Sequence, residues 1–198
     1  MLPTEATQPW EALSLREFID SVANAEIAPA GGSAAVVGVA LAAALVRKVA
    51  LASQDAGIAG GTAAQAGKLR ARAVDLIEAD AEAFMLARTA LWQRHQLDPR
   101  TRDTEIGAKL AETAKVLLAI SEVSADVAQL ALATRDDADA DLRPDLAVAC
   151  LLAEAGAATG LHLVEINLGV QPGDERLSRA QALLADARSA REALLPRA

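Results

Sequence analysis

Pro29-Ala30-Gly31-Gly32-Ser33 opens directly onto an Ala-rich apolar run, Ala34 to Ala52. A hydroxyl residue before such a run reads as a helix start, with Ser33 as the N-cap that accepts from free first-turn N–H groups. Gly31 and Gly32 let the backbone come close to a ligand, and the unpaired N–H groups of a helix start attract anionic or carbonyl groups. The same residues also suit an ordinary capped turn. A helix this rich in Ala, in a chain with 53% apolar residues, 2% aromatics and no tyrosine, points to close helix packing rather than sheet. The fold expected is all-α: a single-domain helical bundle around this long Ala-rich core helix.

Working outward, Ser14-Leu15-Arg16-Glu17 has capping-box spacing and opens a short helix with Leu15, Phe18, Ile19 and Val22 on one side. The Ala-rich helix is expected from about Ser33 to Ser53, ended by Gly57, Gly60 and Gly61. Further helices are predicted over 62–96, 101–134, 144–168 and 174–195. Asp98-Pro99, the acidic loop 135–144, Gly169 with Pro172-Gly173, and Pro196 mark their limits. The 198 residues read as one domain, with 1–13 as an N-terminal extension.

A net charge of −8 speaks against nucleic acid and acidic membrane surfaces as partners. The single cysteine, Cys150, fits a reducing cytoplasm and sits in an apolar stripe. Residues 1–10 lack the pattern of a signal peptide. The apolar core of the first long helix, interrupted by Arg47 and Lys48, reads as too short to span a bilayer.

Asp80 is the most informative polar residue. It fills the gap in the stripe Leu69, Ala73, Leu76, Phe84, Ala87, Leu91 and so faces the core side of its helix, while Glu78 and Glu82 fall on solvated faces. A carboxyl there is desolvated at a cost of several kcal/mol, which calls for a partner or a function. Burial also raises its pKa toward values useful in proton transfer. Two readings stay open: a proton-transfer group, or a buried Asp accepting from a helix end or a basic side chain. Asp145, in a first helical turn, either complements the dipole or faces a ligand. Asp137, Asp139 and Asp141 follow the first ligand positions of a calcium loop, but Leu142 replaces the turn glycine and Val148 the twelfth-position glutamate. No metal site is therefore expected, and no zinc, Walker or Rossmann pattern occurs. His95 reads as exposed, and His162 as a surface or interface histidine, with a proton carrier as the other reading.

Three motifs in order resemble one family. Pro29-Ala30-Gly31-Gly32-Ser33 is similar to its Pro-Gly-Gly-Gly-Ser, Asp80-Ala81-Glu82-Ala83-Phe84 to its Asp-Ala-x-Ala-Phe, and Pro144-Asp145 with Ile166-Asn167-Leu168 to its Ser-Asp and Asn-x-x-Ile-Asn-Leu. The family is the cyclodeaminase/cyclohydrolase group of folate enzymes. Ala30 and Leu163 depart from its glycine and its first asparagine. The resemblance implies a helical homodimer that binds a reduced folate and opens or closes its five-membered one-carbon ring. It implies Asp80 as the catalytic group, Gly31, Gly32, Ser33, Asp145 and Asn167 as substrate contacts, and no cofactor beyond the tetrahydrofolate substrate. With no formiminotransferase domain attached, methenyltetrahydrofolate cyclohydrolase is the expected activity. Formiminotetrahydrofolate cyclodeaminase and an inactive binding or scaffold protein are the alternatives.

Overall fold

The computed structural model describes residues 9–53, 56–96, 98–168 and 173–195, with side chains of 56–59 left aside. Six α-helices follow in order: α1 Leu15–Ala23, α2 Gly31–Ala52, α3 Ala56–Trp92, α4 Arg102–Thr134, α5 Arg143–Leu168 and α6 Glu175–Leu194. Short 3-10 turns precede α1 (Trp10–Ala12) and follow α3 (Gln93–His95). No strand occurs among the described residues. The fold is all-α, as the composition requires.

Local signals place most helix ends. Ser14 and Glu17 form the expected capping box, with Ser14 Oγ accepting from the Glu17 N–H and Glu17 Oε2 accepting from the Ser14 N–H at 2.8 Å. Asp174 caps α6 by accepting from the Arg176 N–H at 2.9 Å. The Arg176 guanidinium also holds the Asp174 carboxylate, whose pKa falls to about 2. Two expectations fail. α2 starts at Gly31, two residues before Ser33, so Ser33 is not the N-cap; Ala30 takes that place without a side-chain cap bond. Gly60 and Gly61 do not end a helix but lie inside the first turns of α3, because packing against α2 outweighs their weak propensity. The expected stops at Gly169, Pro172 and Pro196, and residues 1–8 of the extension, lie outside the described residues.

α2, α3, α4 and α5 pack in a closed ring of neighbours, each antiparallel to the next, and α6 covers the α4/α5 side. Side-chain contacts fix the directions: Ser33 meets Asp80, Thr113 meets Ala83, and Lys48 meets Asp145. Small residues fill the centre. Ala42, Ala43, Ala128, Ala131, Ala149 and Ala153 are fully buried. α5 approaches α4 so closely that a Cβ on Gly160 would lie 2.9 Å from the Leu117 carbonyl and against Ser121 Oγ. Ser121 and Ser124 turn their hydroxyls back to the carbonyls four residues earlier, so both buried polar groups are paired.

By length and composition α2, α4 and α5 are each long enough and apolar enough to cross a membrane. The expectation that the apolar core of this first long helix, interrupted by Arg47 and Lys48, is too short to span therefore does not hold by length and composition: α2 qualifies with both charges included. In this structure the three helices bury their faces against one another.

Candidate active site

The α2 N-terminus, the second half of α3, the first half of α4 and the end of α5 enclose a cavity of about 350 Å³ at one end of the bundle. Its walls are mainly apolar: Phe84, Ala87 and Leu91 from α3, Leu110 and Leu117 from α4, Leu163 and Ile166 from α5. Polar groups enter at few points. Asp80, Thr113, Asn167, Arg88 and the backbone of Gly31 and Gly32 supply them.

Asp80 lies at the inner end and is 3% exposed. Burial pushes its carboxyl above the usual range, while the Ser33 hydroxyl and the Ser33 backbone N–H pull it back. Ser33 Oγ donates to Asp80 Oδ2 at 2.7 Å, so the hydroxyl assigned to a helix cap is used across the α2–α3 interface instead. Ser33 is fully buried behind Asp80 rather than lining the cavity. Gly32 explains how the two helices come so near. A Cβ there would stand 2.6 Å from Asp80 Cγ, whereas one on Gly31 would meet nothing within 4 Å. Gly32 thus makes room for the carboxylate, and Gly31 leaves open space at the helix start.

Asn167 lines the same cavity. Its Nδ2 donates to the Leu163 carbonyl at 2.8 Å, which leaves its Oδ1 as an acceptor for a ligand. Asp145 is placed elsewhere. It stands at the opposite end of α5, about 33 Å along the axis from Asn167 at about 1.5 Å per residue. Its Oδ2 accepts from Lys48 Nζ at 2.6 Å. Within one chain it does not reach the cavity, because the two ends of the α5 motif lie at opposite ends of the bundle.

Among the four aromatic residues, Phe84 alone lines the cavity; Phe18 is core and Trp92 is 78% exposed. Glu78 is not a free surface acid, since it accepts from the Trp10 N–H at 3.0 Å. His95 and His162 are exposed as expected. Cys150 is buried and its thiol is pushed up to about 12, which makes it inert. Among the described residues no group of three or more His, Cys, Asp and Glu side chains converges to hold a metal ion. Sequence reasoning missed Arg88 and Thr113. Arg88 was legible: it lies eight residues after Asp80, two helical turns along the same face.

The sequence profile of formiminotransferase-cyclodeaminase matches residues 14–184. The chain belongs to the formiminotransferase-cyclodeaminase family. A search of curated proteins finds no match in sequence. The crystal structure of formiminotetrahydrofolate cyclodeaminase from Thermotoga maritima superposes with a TM-score of 0.80, at 24% identity, over 93% of this chain and 96% of that one. At that identity the likeness shows a shared fold. The family assignment agrees with the three motifs, of which the first two meet in space at the Gly32–Asp80 contact.

Proposed function

We propose that this family member is a one-carbon folate enzyme, a methenyltetrahydrofolate cyclohydrolase in which Asp80 moves the protons. The observation that carries this reading is a desolvated carboxylate at the inner end of an apolar cavity, held by Ser33 against an uncapped helix start. The apolar walls suit a flat ring system, and the Asp80 charge suits the cationic imidazolinium of the methenyl group. In the step proposed, water adds to the methenyl carbon and Asp80 takes its proton. Asp80 then returns that proton to the ring nitrogen as the C–N bond breaks, the hydroxyl proton of the adduct leaves to solvent as the formyl carbonyl forms, and 10-formyltetrahydrofolate results. Burial raises the Asp80 pKa, which strengthens the carboxylate as the acceptor of the water proton. The N–H groups at the start of α2 stand ready to steady the negative oxygen. Water and the folate itself are the only small molecules this proposed chemistry uses.

Formiminotetrahydrofolate cyclodeaminase is the second reading, favoured by the protein that shares the fold. It needs the same carboxylate, to protonate a departing ammonia. An inactive scaffold fits less well, because a buried charge beside an open cavity costs stability with no return in binding alone.

The near-ultraviolet absorbance of the methenyl group tests the activity. We expect its loss on hydrolysis, and at least ~100-fold slower turnover in a normally folded Asp80→Asn protein. Gain of the absorbance from formiminotetrahydrofolate would select the second reading, and no turnover or binding of any reduced folate would leave the scaffold.

The same reading includes a homodimer without membrane or nucleic acid, in a cytoplasmic setting. Leu41, Leu51, Val148 and Leu151 are 45–55% exposed on the outer α2/α5 face, beside the Lys48–Asp145 ion pair. An ion pair amid apolar residues suits a protein contact better than lipid. A mass near 20.4 kDa by light scattering would count against the dimer.

A further inference from the structure

The cavity has a long axis. α3 supplies one whole wall, from Asp80 at the inner end through Phe84 and Ala87 to Arg88 and Leu91. α4 runs antiparallel beside it, with Leu117 near the Asp80 end and Leu110 near the Arg88 end. Arg88 is the one cation among the described lining residues, and it is exposed. It forms no ion pair or hydrogen bond with any described residue, whereas Arg72, Arg135, Arg176, Arg188 and Arg191 each hold an acid.

We propose that Arg88 is the anion anchor of this cavity, binding a carboxylate on the tail of the ligand whose reacting ring lies at Asp80. The inference rests on the reduced-folate reading and adds to it the residue that recognises the glutamate tail. The spacing fits. The backbones of Asp80 and Arg88 stand about 12 Å apart along α3. From the one-carbon ring of a folate across its aminobenzoyl spacer to the first glutamate carboxylate is roughly 10 Å by ordinary bond lengths. Between the two charges the wall is Phe84 and Ala87, with Leu110 and Leu163 across from them, an apolar slot for the spacer ring. The ends are chemically opposite, so the cavity also orients its ligand: a cationic ring is drawn to Asp80 and an anionic tail to Arg88. A guanidinium is suited to the second task because its planar fork meets a carboxylate through two parallel N–H bonds.

The test compares substrates with and without the tail. Wild-type, Arg88→Ala and Arg88→Lys proteins are assayed by absorbance on 5,10-methenyltetrahydrofolate and on 5,10-methenyltetrahydropteroate, which lacks the glutamate. In the wild type we expect the tailed substrate to have the lower KM by about 10-fold, the size of a charge-assisted contact at a solvent-facing site. Arg88→Ala should erase that preference by raising KM for the tailed substrate alone, with kcat held within about twofold, since Arg88 stands apart from the reacting ring. Arg88→Lys should fall between. Added salt should weaken the wild-type preference and leave Arg88→Ala unmoved. Turnover of both substrates with the same preference in wild type and Arg88→Ala would overturn the anchor and leave the folate reading intact. Failure of the wild type to bind or turn over either substrate would overturn both.

Discussion

Exchanging Gly32 for Ala, with Gly31→Ala as its partner, isolates the contact on which the site is built. The two glycines are neighbours in the same helical turn, but their surroundings are opposite. A methyl on Gly32 would lie 2.6 Å from Asp80 Cγ, and one on Gly31 would enter open space. Asp80 has little room to retreat, since Ser33 Oγ holds its far oxygen at 2.7 Å. Either the carboxylate swings away and breaks that bond, or α2 lifts off α3. Overpacking of this kind costs about 1–3 kcal/mol. Replacing a helical Gly by Ala returns about 0.5–1 kcal/mol. The balance runs from about zero to a loss of roughly 2.5 kcal/mol, or up to about 10 °C in Tm for a chain of this size. Gly31→Ala carries only the favourable part and should melt at the same temperature or a few degrees higher. Turnover should divide the same way. Gly32→Ala moves the proton-transfer group and should lose at least ~10-fold in kcat, as misplacement near 1 Å does in active sites. Gly31→Ala leaves Asp80 in place and should raise KM alone, because its methyl occupies ligand space. Thermal unfolding and turnover on the same preparations decide it. Equal melting and equal kcat in the two variants would refute the reasoning.

The remaining predictions concern Ser33 and the α4–α5 contact. Ser33→Ala removes a donor that lowers the Asp80 pKa, so burial acts less opposed and the limb of the pH–rate profile governed by Asp80 should move to higher pH; Ser33→Thr should restore it, and an unmoved limb in Ser33→Ala would show that Ser33 does not tune Asp80. A raised native pKa also means that protonation favours the fold: the Asp80 contribution to stability is fully present below the unfolded pKa and is lost as pH rises through the native one. Urea unfolding of wild type and Asp80→Asn should therefore show a gap that shifts in favour of the variant as pH rises from 4 to 7, and a pH-independent gap would count against it. Gly160→Ala should destabilise by about 1–3 kcal/mol, because its Cβ would meet the Leu117 carbonyl and the Ser121 N–H, backbone that cannot turn aside. Gly107→Ala, facing nothing within 4 Å, should be neutral or stabilising by about 0.5–1 kcal/mol and serves as its control.

The sequence by itself determined the class of fold, the order of the helices and the inward direction of Asp80. These are local or periodic properties: caps and prolines set helix ends, and the spacing of Leu76, Asp80 and Phe84 sets the face of α3 on which the carboxylate lies. Tertiary structure decided what those residues touch. Ser33 has the chemistry of a cap, but a carboxylate from α3 takes its hydroxyl across the interface, and α2 gains two residues at its start. Gly60 and Gly61 read as a break because propensity is local, and α3 continues through them because α2 covers it. Asp145 and Asn167 belong to one motif and one helix, yet a straight helix holds its ends far apart, so one lines the cavity and the other pairs with Lys48 at the opposite end of the bundle. Gly32 carries the most from sequence to site. Its small size was plain in the sequence, but only the approach of a second helix shows that the missing side chain is the space in which Asp80 sits.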